Sequence, residues 1–383
     1  MKNQKHLFQL PSDIHYLNGA YMSPLLKSVE EVGIAALIQK RNPTNISPAD
    51  FFSLAEVAKS NFGKLVNCPS TQVAIIPAAS YGMATAIQNL PKDHGGHVLV
   101  VSDEFPSGYY TIEKWCRENG KNLKVIEVPK ALENRGKIWN SKILSHINED
   151  TCAVVMSSIH WTNGTLFQLK EIGEKCKANQ ALFIVDGTQS VGAMPIDVMD
   201  YQIDALVCAG YKWLMGPYSI GMAYYSASFN EGNPLEESWM NRSNAQNFSA
   251  LTQYVDDYTP GAGRYNVGEF SNFTLLPMLN AAIVQILKWD PANIQAYCHQ
   301  LSEPLIKFLK ENGFWLEEEE FRAKHLFGVL LPVNIHQEKL LKKLQERKIF
   351  VSVRGKAIRV SFHLYNTEED IQVLIDTLEE FVK

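Results

Sequence analysis

The alternation of two kinds of segment from Val73 onward constrains the fold of this chain more than any other feature. Short apolar runs rich in valine, isoleucine and alanine alternate with longer segments that have the periodicity of amphipathic helices. Such short apolar runs are typical of strands buried on both faces of a sheet. The repeat predicts an α/β fold, a three-layer, doubly wound and mainly parallel sheet with helices on both faces.

Seven apolar runs are predicted strands of this sheet, at residues 73–76, 98–101, 124–128, 152–156, 182–185, 204–208 and 219–225. Helices are predicted at residues 24–38, 51–66, 81–90, 107–119, 141–147, 169–179, 275–288 and 291–311. The last strand follows the preceding one after a connection too short for a parallel crossover. We therefore expect one antiparallel pairing at this point.

The pattern divides the chain into three parts. Residues 1–50 are predicted to be a lead-in that packs with a small domain, and residues 51–290 to be a large domain. Residues 291–383 are predicted to form the small α+β C-terminal domain, with strands near 328–332, 349–353 and 357–361 and helices near 335–346 and 367–380. Residues 227–274 have little periodicity, which is typical of a functional or interfacial segment.

Composition excludes several classes of function. A net charge of -5 gives no electrostatic case for nucleic acid or an anionic membrane. No run approaches the ~18 apolar residues that a spanning helix needs, and no signal peptide is recognisable. The six cysteines are scattered, so neither a metal site nor a disulfide framework is expected. Unpaired cysteines fit a cytoplasmic location.

One acid and one amine follow two of the predicted strands. Asp186 ends the run 182–185, and Lys212 follows the run 204–208. Ligand chemistry in α/β sheets collects at the carboxyl ends of strands, so both groups are expected at one edge. Taken alone, Lys212 could equally be a solvent-exposed lysine in a turn, because burying the charge of a lysine costs desolvation free energy.

The spacing of these residues resembles that of a known family. The patterns D-x-x-Q at Asp186–Gln189 and K-x-x-x-G-P at Lys212–Pro217 resemble the class V aminotransferase family of fold type I pyridoxal-phosphate enzymes. The branch is the one with cysteine desulfurases, kynureninases and isopenicillin N epimerase-like proteins, and the resemblance covers nearly the whole chain. It implies pyridoxal 5′-phosphate as cofactor and a homodimer with active sites at its interface.

The chemistry of such a cofactor assigns roles to three side chains. A lysine amine forms a Schiff base (an aldimine) with an aldehyde cofactor and, once displaced, shuttles a proton, which is the role expected of Lys212. An acid at the pyridine nitrogen makes the ring an electron sink, which is the role expected of Asp186. The resemblance implies that Gln189 bonds the phenolic oxygen; its alternative is a solvated loop side chain.

The phosphate is expected at a helix N-terminus. Ser80 and Tyr81 lie between a predicted strand and helix, where the family has its phosphate-binding turn, although Ser80 is also interpretable as a plain N-cap. Tyr211 stands where desulfurases carry a histidine, and its phenol is expected near the phosphate unless it packs in the core. Gly268 and Glu269 resemble the family loop that reaches the neighbouring subunit's phosphate; the alternative is a surface loop.

The remaining assignments concern the cofactor face and the substrate. Phe105 matches the position of the stacking residue of desulfurases, with a core role as alternative. Arg359 matches the arginine that relatives use to clamp the substrate α-carboxylate, with Arg354 as alternative residue. Asn18, His160 and Trp161 are the other candidates for substrate contact. The family often has an asparagine in the segment where this chain has His160 and Trp161 instead. A lone histidine is more often structural than functional.

The resemblance favours an aminotransferase acting on an amino acid. A lyase or epimerase, such as a C–S lyase or an isopenicillin N epimerase-like enzyme, is the alternative, and a decayed paralogue that only binds is a third hypothesis. Desulfurases need a mobile cysteine in the C-terminal third, whereas the last cysteine here, Cys298, lies in a predicted helix. We therefore predict that the chain is not a persulfide-forming desulfurase.

Overall fold

The computed structural model describes residues 1–382, so Lys383, the last residue of the predicted C-terminal domain, lies outside the described residues. The strands are β1 (His15–Tyr16), β2 (Val73–Ile76), β3 (His97–Val101), β4 (Asn122–Ile126), β5 (Thr151–Ser157), β6 (Leu182–Asp186), β7 (Ala205–Ala209), β8 (Gly221–Tyr225), β9 (Leu326–Leu330), β10 (Ile349–Phe350), β11 (Ser352–Arg354) and β12 (Ala357–Ser361). The helices are α1 (Lys27–Gln39), α2 (Ser53–Val66), α3 (Ala79–Gln88), α4 (Pro106–Glu118), α5 (Arg135–His146), α6 (Leu169–Ala178), α7 (Leu275–Trp289), α8 (Pro291–Glu311), α9 (Gln337–Glu346) and α10 (Glu368–Val382).

The central sheet has seven strands in the order β2-β8-β7-β6-β5-β3-β4. The pairs from β7 to β4 are all parallel, whereas β8 is antiparallel to both of its neighbours, β7 and β2. The expectation of one antiparallel pairing was therefore too low, because β8 is inserted between two strands that share a direction. The predicted fold class, a mainly parallel α/β sheet, is confirmed.

Each strand of this sheet contributes to two cores. Val98 and Val100 of β3 belong to the core on one face, and Leu99 and Val101 belong to the core on the other. All four side chains are buried, because helices cover both faces of the sheet. This two-sided burial explains why the strands read as continuous apolar runs rather than as alternating patterns.

Several element boundaries differ from the predicted ones. Helix α1 begins at Lys27 instead of residue 24, because a bridge to Phe8 holds Leu26 in an extended conformation. Helix α5 begins six positions earlier than the predicted 141–147, and buries Trp139 and Asn140. The predicted strand 349–353 is two strands, since β10 pairs with β1 while β11 pairs with β12.

The N-terminal segment contacts both the C-terminal part and the large sheet region. Strand β1 pairs in parallel with β10, and helix α1 packs against α7. Among the described residues, 227–274 contain short 3-10 helices and an isolated bridge between Arg242 and Tyr258 but no α-helix, in agreement with their weak periodicity. The predicted domain boundaries stay a prediction. Within residues 1–382, no helix is both long and apolar enough to cross a membrane.

Candidate active site

A cavity of about 260 Å³ lies at the carboxyl edge of the central sheet. Its walls include Ser157, Asp186 and Ala209, the last residues of β5, β6 and β7. Seven of the residues predicted from the sequence line it, namely Ser80, Phe105, Trp161, Asp186, Gln189, Tyr211 and Lys212. The structure therefore brings the acid and the amine together at one edge of the sheet.

Lys212 is held in a tight loop between β7 and β8. The loop is closed by hydrogen bonds from Gly216 N to Gly210 O (2.8 Å) and from Met215 N to Lys212 O (2.9 Å). The lysine is 8% exposed, and its burial lowers its pKa to about 8, although the nearby Asp186 carboxylate raises it. A buried amine of this kind has a neutral, nucleophilic fraction near neutral pH.

The turn that follows β6 positions Asp186 and Gln189. The Asp186 carboxylate accepts a hydrogen bond from Thr188 N at 2.9 Å. Gly192 ends the turn with a φ of +96°, and a Cβ there would lie 2.4 Å from the Trp213 backbone oxygen, so only glycine allows this approach. The two segments that carry the acid and the amine are thereby locked against each other.

The amide of Gln189 has a fixed orientation. Its Oε1 accepts a hydrogen bond from Trp213 Nε1 at 2.9 Å, and its Nε2 donates to Ala20 O at 3.2 Å. Since an amide nitrogen carries two hydrogens, Nε2 keeps one donor for a ligand. Gln189 is 4% exposed and lines the cavity, so a solvated loop side chain is not what the structure contains.

The N-terminus of α3 faces the cavity. Ala78, not Ser80, is the N-cap residue, and no side chain caps this helix. Ala78, Ala79 and Ser80 all line the cavity, and the first N–H groups of a helix have no acceptor within the helix. The helix therefore presents free donors and the positive end of its dipole to the cavity, an arrangement that favours an anion.

Aromatic rings cover another wall. The Lys212 Nζ lies 5.6 Å from the centroid of the Phe105 ring and 5.7 Å from that of Tyr211. Phe105 packs edge to face against Trp161, with 5.5 Å between centroids, and Tyr211 packs against Tyr218 at 4.7 Å. Phe105 and Tyr211 thus line the cavity rather than being enclosed in the core.

Arg359 lies behind this wall. It is 1% exposed, and its Nη1 donates to the backbone oxygen of Trp161 at 2.7 Å. Its Nε and Nη2 are buried and have no partner among the described residues. Burial, together with the nearby charge of Arg354, lowers its pKa to about 9. The guanidinium group retains unpaired donors next to a cavity-lining residue.

Two other substrate candidates, His160 and Asn18, do not line the cavity within the described residues. His160 is buried; its Nε2 donates to Ser102 O at 3.1 Å, and its Nδ1 accepts from the Thr162 hydroxyl at 2.8 Å. Burial lowers its pKa to about 4, so the ring is neutral. Asn18 Oδ1 accepts from the Ser352 hydroxyl at 2.7 Å.

Three other candidates for phosphate contact, Tyr81, Gly268 and Glu269, are not among the described residues that line the cavity. The Tyr81 hydroxyl donates to Oε1 of Glu236 at 3.1 Å, and the Gly268 backbone N–H donates to the same oxygen. Glu269 has a φ of +57° in the adjoining turn. The predicted role of Gly268 and Glu269 across a dimer interface stays a prediction.

Most of the chain matches one known protein family. Residues 47–374 match the model of the family described as Aminotransferase class-V. The chain belongs to the class V aminotransferase family. Its members are pyridoxal 5′-phosphate enzymes, so the predicted family and the predicted cofactor are confirmed.

Individual class V relatives are distant in sequence. An uncharacterized aminotransferase of Bacillus subtilis (strain 168), YcbU, is 22% identical over 329 residues, which cover 84% of this chain and 82% of that protein. Isopenicillin N epimerase of Streptomyces clavuligerus is 21% identical over 347 residues, covering 87% of both. A kynureninase of Cryptococcus neoformans is 22% identical over 350 residues, covering 84% of this chain and 77% of that protein.

Solved structures show the same fold. A cystine C–S lyase in complex with cysteine persulfide superposes with a TM-score of 0.84 at 20% identity, covering 97% of this chain and 98% of the other. An apo cysteine desulfurase from Thermococcus onnurineus NA1 has a TM-score of 0.81 at 18% identity, covering 100% and 98%. These likenesses establish the architecture of this class V chain.

The residues at the cavity fit pyridoxal 5′-phosphate. The aldehyde would meet Lys212, the pyridine nitrogen Asp186 and the phosphate the uncapped N-terminus of α3. The spare donor of Gln189 fits the phenolic oxygen, and the Phe105 ring lies on the same cavity as the lysine. The donor set therefore matches each polar group of this cofactor.

Several residues of the site are not among those predicted. Ser157 and Thr188 line the cavity, and Glu104 lies directly behind it, where its carboxylate accepts hydrogen bonds from Ser157 N and Phe105 N, both at 2.7 Å. Burial raises the pKa of Glu104 to about 7. Ser157 and Thr188 could have been predicted from their positions, because Ser157 ends β5 and Thr188 follows the end of β6, at the edge where Asp186 lies.

Proposed function

We propose that this protein is a pyridoxal-phosphate-dependent aminotransferase that acts on an α-amino acid through Lys212. The observation that carries the proposal is the buried Lys212 amine, which shares one cavity with the Asp186 carboxylate. Burial lowers the pKa of this lysine to about 8, so that part of the amine is neutral near neutral pH and able to accept a proton. When bound, the cofactor supplies an electron sink that stabilises negative charge at the substrate Cα.

The other residues of the site would bind the cofactor and the substrate and orient them. Asp186 would keep the pyridine nitrogen protonated, and the donors at Ser80 and the start of α3 would hold the phosphate. The unpaired Nε and Nη2 of Arg359 would receive the substrate α-carboxylate. Phe105 and Trp161 form an apolar wall that excludes water from the Lys212 Nζ, which takes the proton from Cα.

The cysteines support a reaction other than persulfide formation. Cys298 is fully buried in α8, and its burial raises its pKa strongly. Among residues 1–382, the cavity is lined by no cysteine; Cys68 is half-buried and the other five are buried. A nucleophilic thiolate must reach the substrate sulfur, and the burial of these thiols supports our proposal that the chain does not use a desulfurase mechanism.

We further propose a homodimer in the cytoplasm. Ile34, Leu37 and Ile38 on α1 are each about half exposed, and covering them would remove apolar surface from water. All six cysteines are unpaired, which suits a reducing compartment. Light scattering should give twice the 43.2 kDa chain mass, and a mass of one chain would contradict the dimer.

The reaction class is tested with a panel of amino acids. The purified holoenzyme is mixed with each, and the visible absorption of the cofactor and the products are followed. Conversion of the cofactor to its amine form, with release of one equivalent of keto acid, supports transamination. Release of ammonia with the keto acid, or racemisation without the amine form, supports the lyase or epimerase alternative. A spectrum that responds to no amino acid contradicts the proposed function.

A further inference from the structure

Two arginines lie on one face of the hairpin formed by β11 and β12. Ser352 pairs with Arg359, and Arg354 pairs with Ala357. Because residues two apart along a strand point to the same face, Arg354 and Arg359 project from the same side of the hairpin. From the sequence, Arg354 and Arg359 are alternatives for binding the substrate α-carboxylate. The register of β11 and β12 instead places both guanidinium groups on the face of the hairpin that contacts Trp161 in the cavity wall.

Trp161 contacts both of them. The guanidinium carbon of Arg354 lies 5.6 Å from the centroid of the Trp161 ring, while Arg359 donates to the backbone oxygen of Trp161. The Trp161 ring itself lines the cavity and is fixed by a hydrogen bond from its Nε1 to Asp103 O at 2.7 Å. One cavity-lining residue therefore orients two cations.

Neither arginine is neutralised by the protein. Within residues 1–382, the ion pairs closer than 4.0 Å include neither Arg354 nor Arg359. The Nε atoms of both are buried without a partner, and Arg354 Nη1 donates only to the Val353 backbone oxygen. Buried donors without acceptors are costly, and an anionic ligand would satisfy them.

The charges of Arg354 and Arg359 also affect Lys212. Burial lowers the pKa of Lys212 most, and the charges of Arg359 and Arg354 lower it further. Asp186 is the one carboxylate among the described residues that line the cavity. A substrate with a single α-carboxylate would neutralise one guanidinium group and leave the second without a counter-charge.

We propose that the substrate is an α-amino acid with a second carboxylate at the end of its side chain, held by Arg354 while Arg359 holds the α-carboxylate. This inference rests on the proposed function. Arg359 is 1% exposed and Arg354 is half-buried, so the second carboxylate lies nearer the mouth of the cleft. A planar guanidinium group stacked on tryptophan binds a carboxylate in two-pronged fashion, which a lysine does not reproduce.

The test measures dissociation constants by titrating the absorption spectrum of the holoenzyme. Aspartate, glutamate and 2-aminoadipate are compared with asparagine and glutamine, which have the same shape as the first two without the second charge. The wild type should bind at least one dicarboxylic amino acid tenfold or more tightly than the amides. Arg354→Gln should remove this preference, raising the dicarboxylic constant at least tenfold and leaving the amide constants within twofold.

Matched variants separate a specific contact from a general change. Lys356→Gln removes the same charge from the exposed turn of the same hairpin and should change no constant more than twofold. Arg354→Lys should restore part of the preference. Calorimetry with glutarate against butyrate, neither of which has an amine, should show a tenfold preference for glutarate that Arg354→Gln abolishes.

Three results would overturn the inference. They are a wild type without preference for the second carboxylate, an equal loss of both ligand classes in Arg354→Gln, and an equal effect of Lys356→Gln. A wild-type spectrum that responds to no amino acid would instead overturn the proposed function. The melting temperature of each variant shows whether the fold is retained, and Arg354→Met, which also lacks the charge, replaces Arg354→Gln with the same expected results if that chain unfolds.

Discussion

Nε2 of His325 lies 2.8 Å from the backbone oxygen of Gln189 and donates a hydrogen bond to it. The other ring nitrogen, Nδ1, accepts a hydrogen bond from Gln295 Nε2 at 2.8 Å. The ring also packs edge to face against Trp213, with 4.5 Å between centroids. A histidine just before β9 thus supports the turn that carries Gln189, and it does so only in its neutral form, since protonated Nδ1 would face a donor.

The neutral state of His325 predicts a pH dependence of stability. Burial lowers its pKa to about 4, whereas an unfolded histidine titrates near ~6.5. The unfolded chain therefore binds more protons between these values, and stability falls as the pH drops through 6.5. His325 should account for about 1.3 kcal/mol of stability lost between pH 7.5 and 5.5.

Urea unfolding of the His325→Gln variant at both pH values measures this share. The variant should have a pH dependence smaller than that of the wild type by about 1.3 kcal/mol. The exposed His336→Gln variant is the control and should keep the wild-type dependence. Equal pH dependence in the wild type and the His325 variant would contradict the interpretation.

Glu104 is predicted to hold the Phe105 wall in place. Its carboxylate accepts hydrogen bonds from Ser157 N, the Ser157 hydroxyl and Phe105 N. Glu104→Ala leaves three donors without an acceptor, each costing about 1–3 kcal/mol when buried. We expect a fall in unfolding free energy of at least about 2 kcal/mol, measured by denaturant unfolding. The exposed Glu113→Ala variant should stay close to the wild type, and comparable stability of both variants would refute the role of Glu104.

The lowered pKa of Lys212 predicts how the apoprotein takes up its cofactor. Burial brings this pKa to about 8, and the Asp186 carboxylate keeps it from falling further. Because only the neutral amine attacks an aldehyde, the rate of cofactor attachment should rise with pH and level off above about 8. Asp186→Asn should move the midpoint to lower pH. Rates that continue to rise past pH 10, as for an ordinary lysine, would contradict the account.

The sheet and its carboxyl edge were predictable from the sequence because strands buried on both faces need continuous apolar runs. Asp186 was predictable for the same reason, since it directly follows such a run, whereas Lys212 was singled out by its spacing from Asp186 and Gln189 and by the Gly216-Pro217 pair that follows it. Local pattern did not reveal the start of α1, where a bridge between Phe8 and Leu26 overrides helix propensity. The local pattern also predicted one antiparallel pairing instead of two, because the second one joins β8 to β2, which is distant in sequence.

The less predictable parts of the site depend on long-range contacts. His160 is a chemically versatile residue by type, yet its ring packs against Trp139 and bonds Ser102, both far away in sequence. Glu104 owes its environment to Ser157, which is 53 positions away. Arg354 and Arg359 could be weighed only as alternatives until the register of β11 and β12 placed them on one face.

The role of Lys212 as the residue that binds the cofactor is tested by identifying the lysine to which the cofactor is attached. The yellow holoenzyme is reduced with borohydride, digested and analysed by mass spectrometry, so that the bond between amine and cofactor becomes permanent. We expect the added cofactor mass on the peptide that contains Lys212, and no such peptide from Lys212→Ala. Attachment at another lysine, or a protein that binds no pyridoxal 5′-phosphate, would contradict this role.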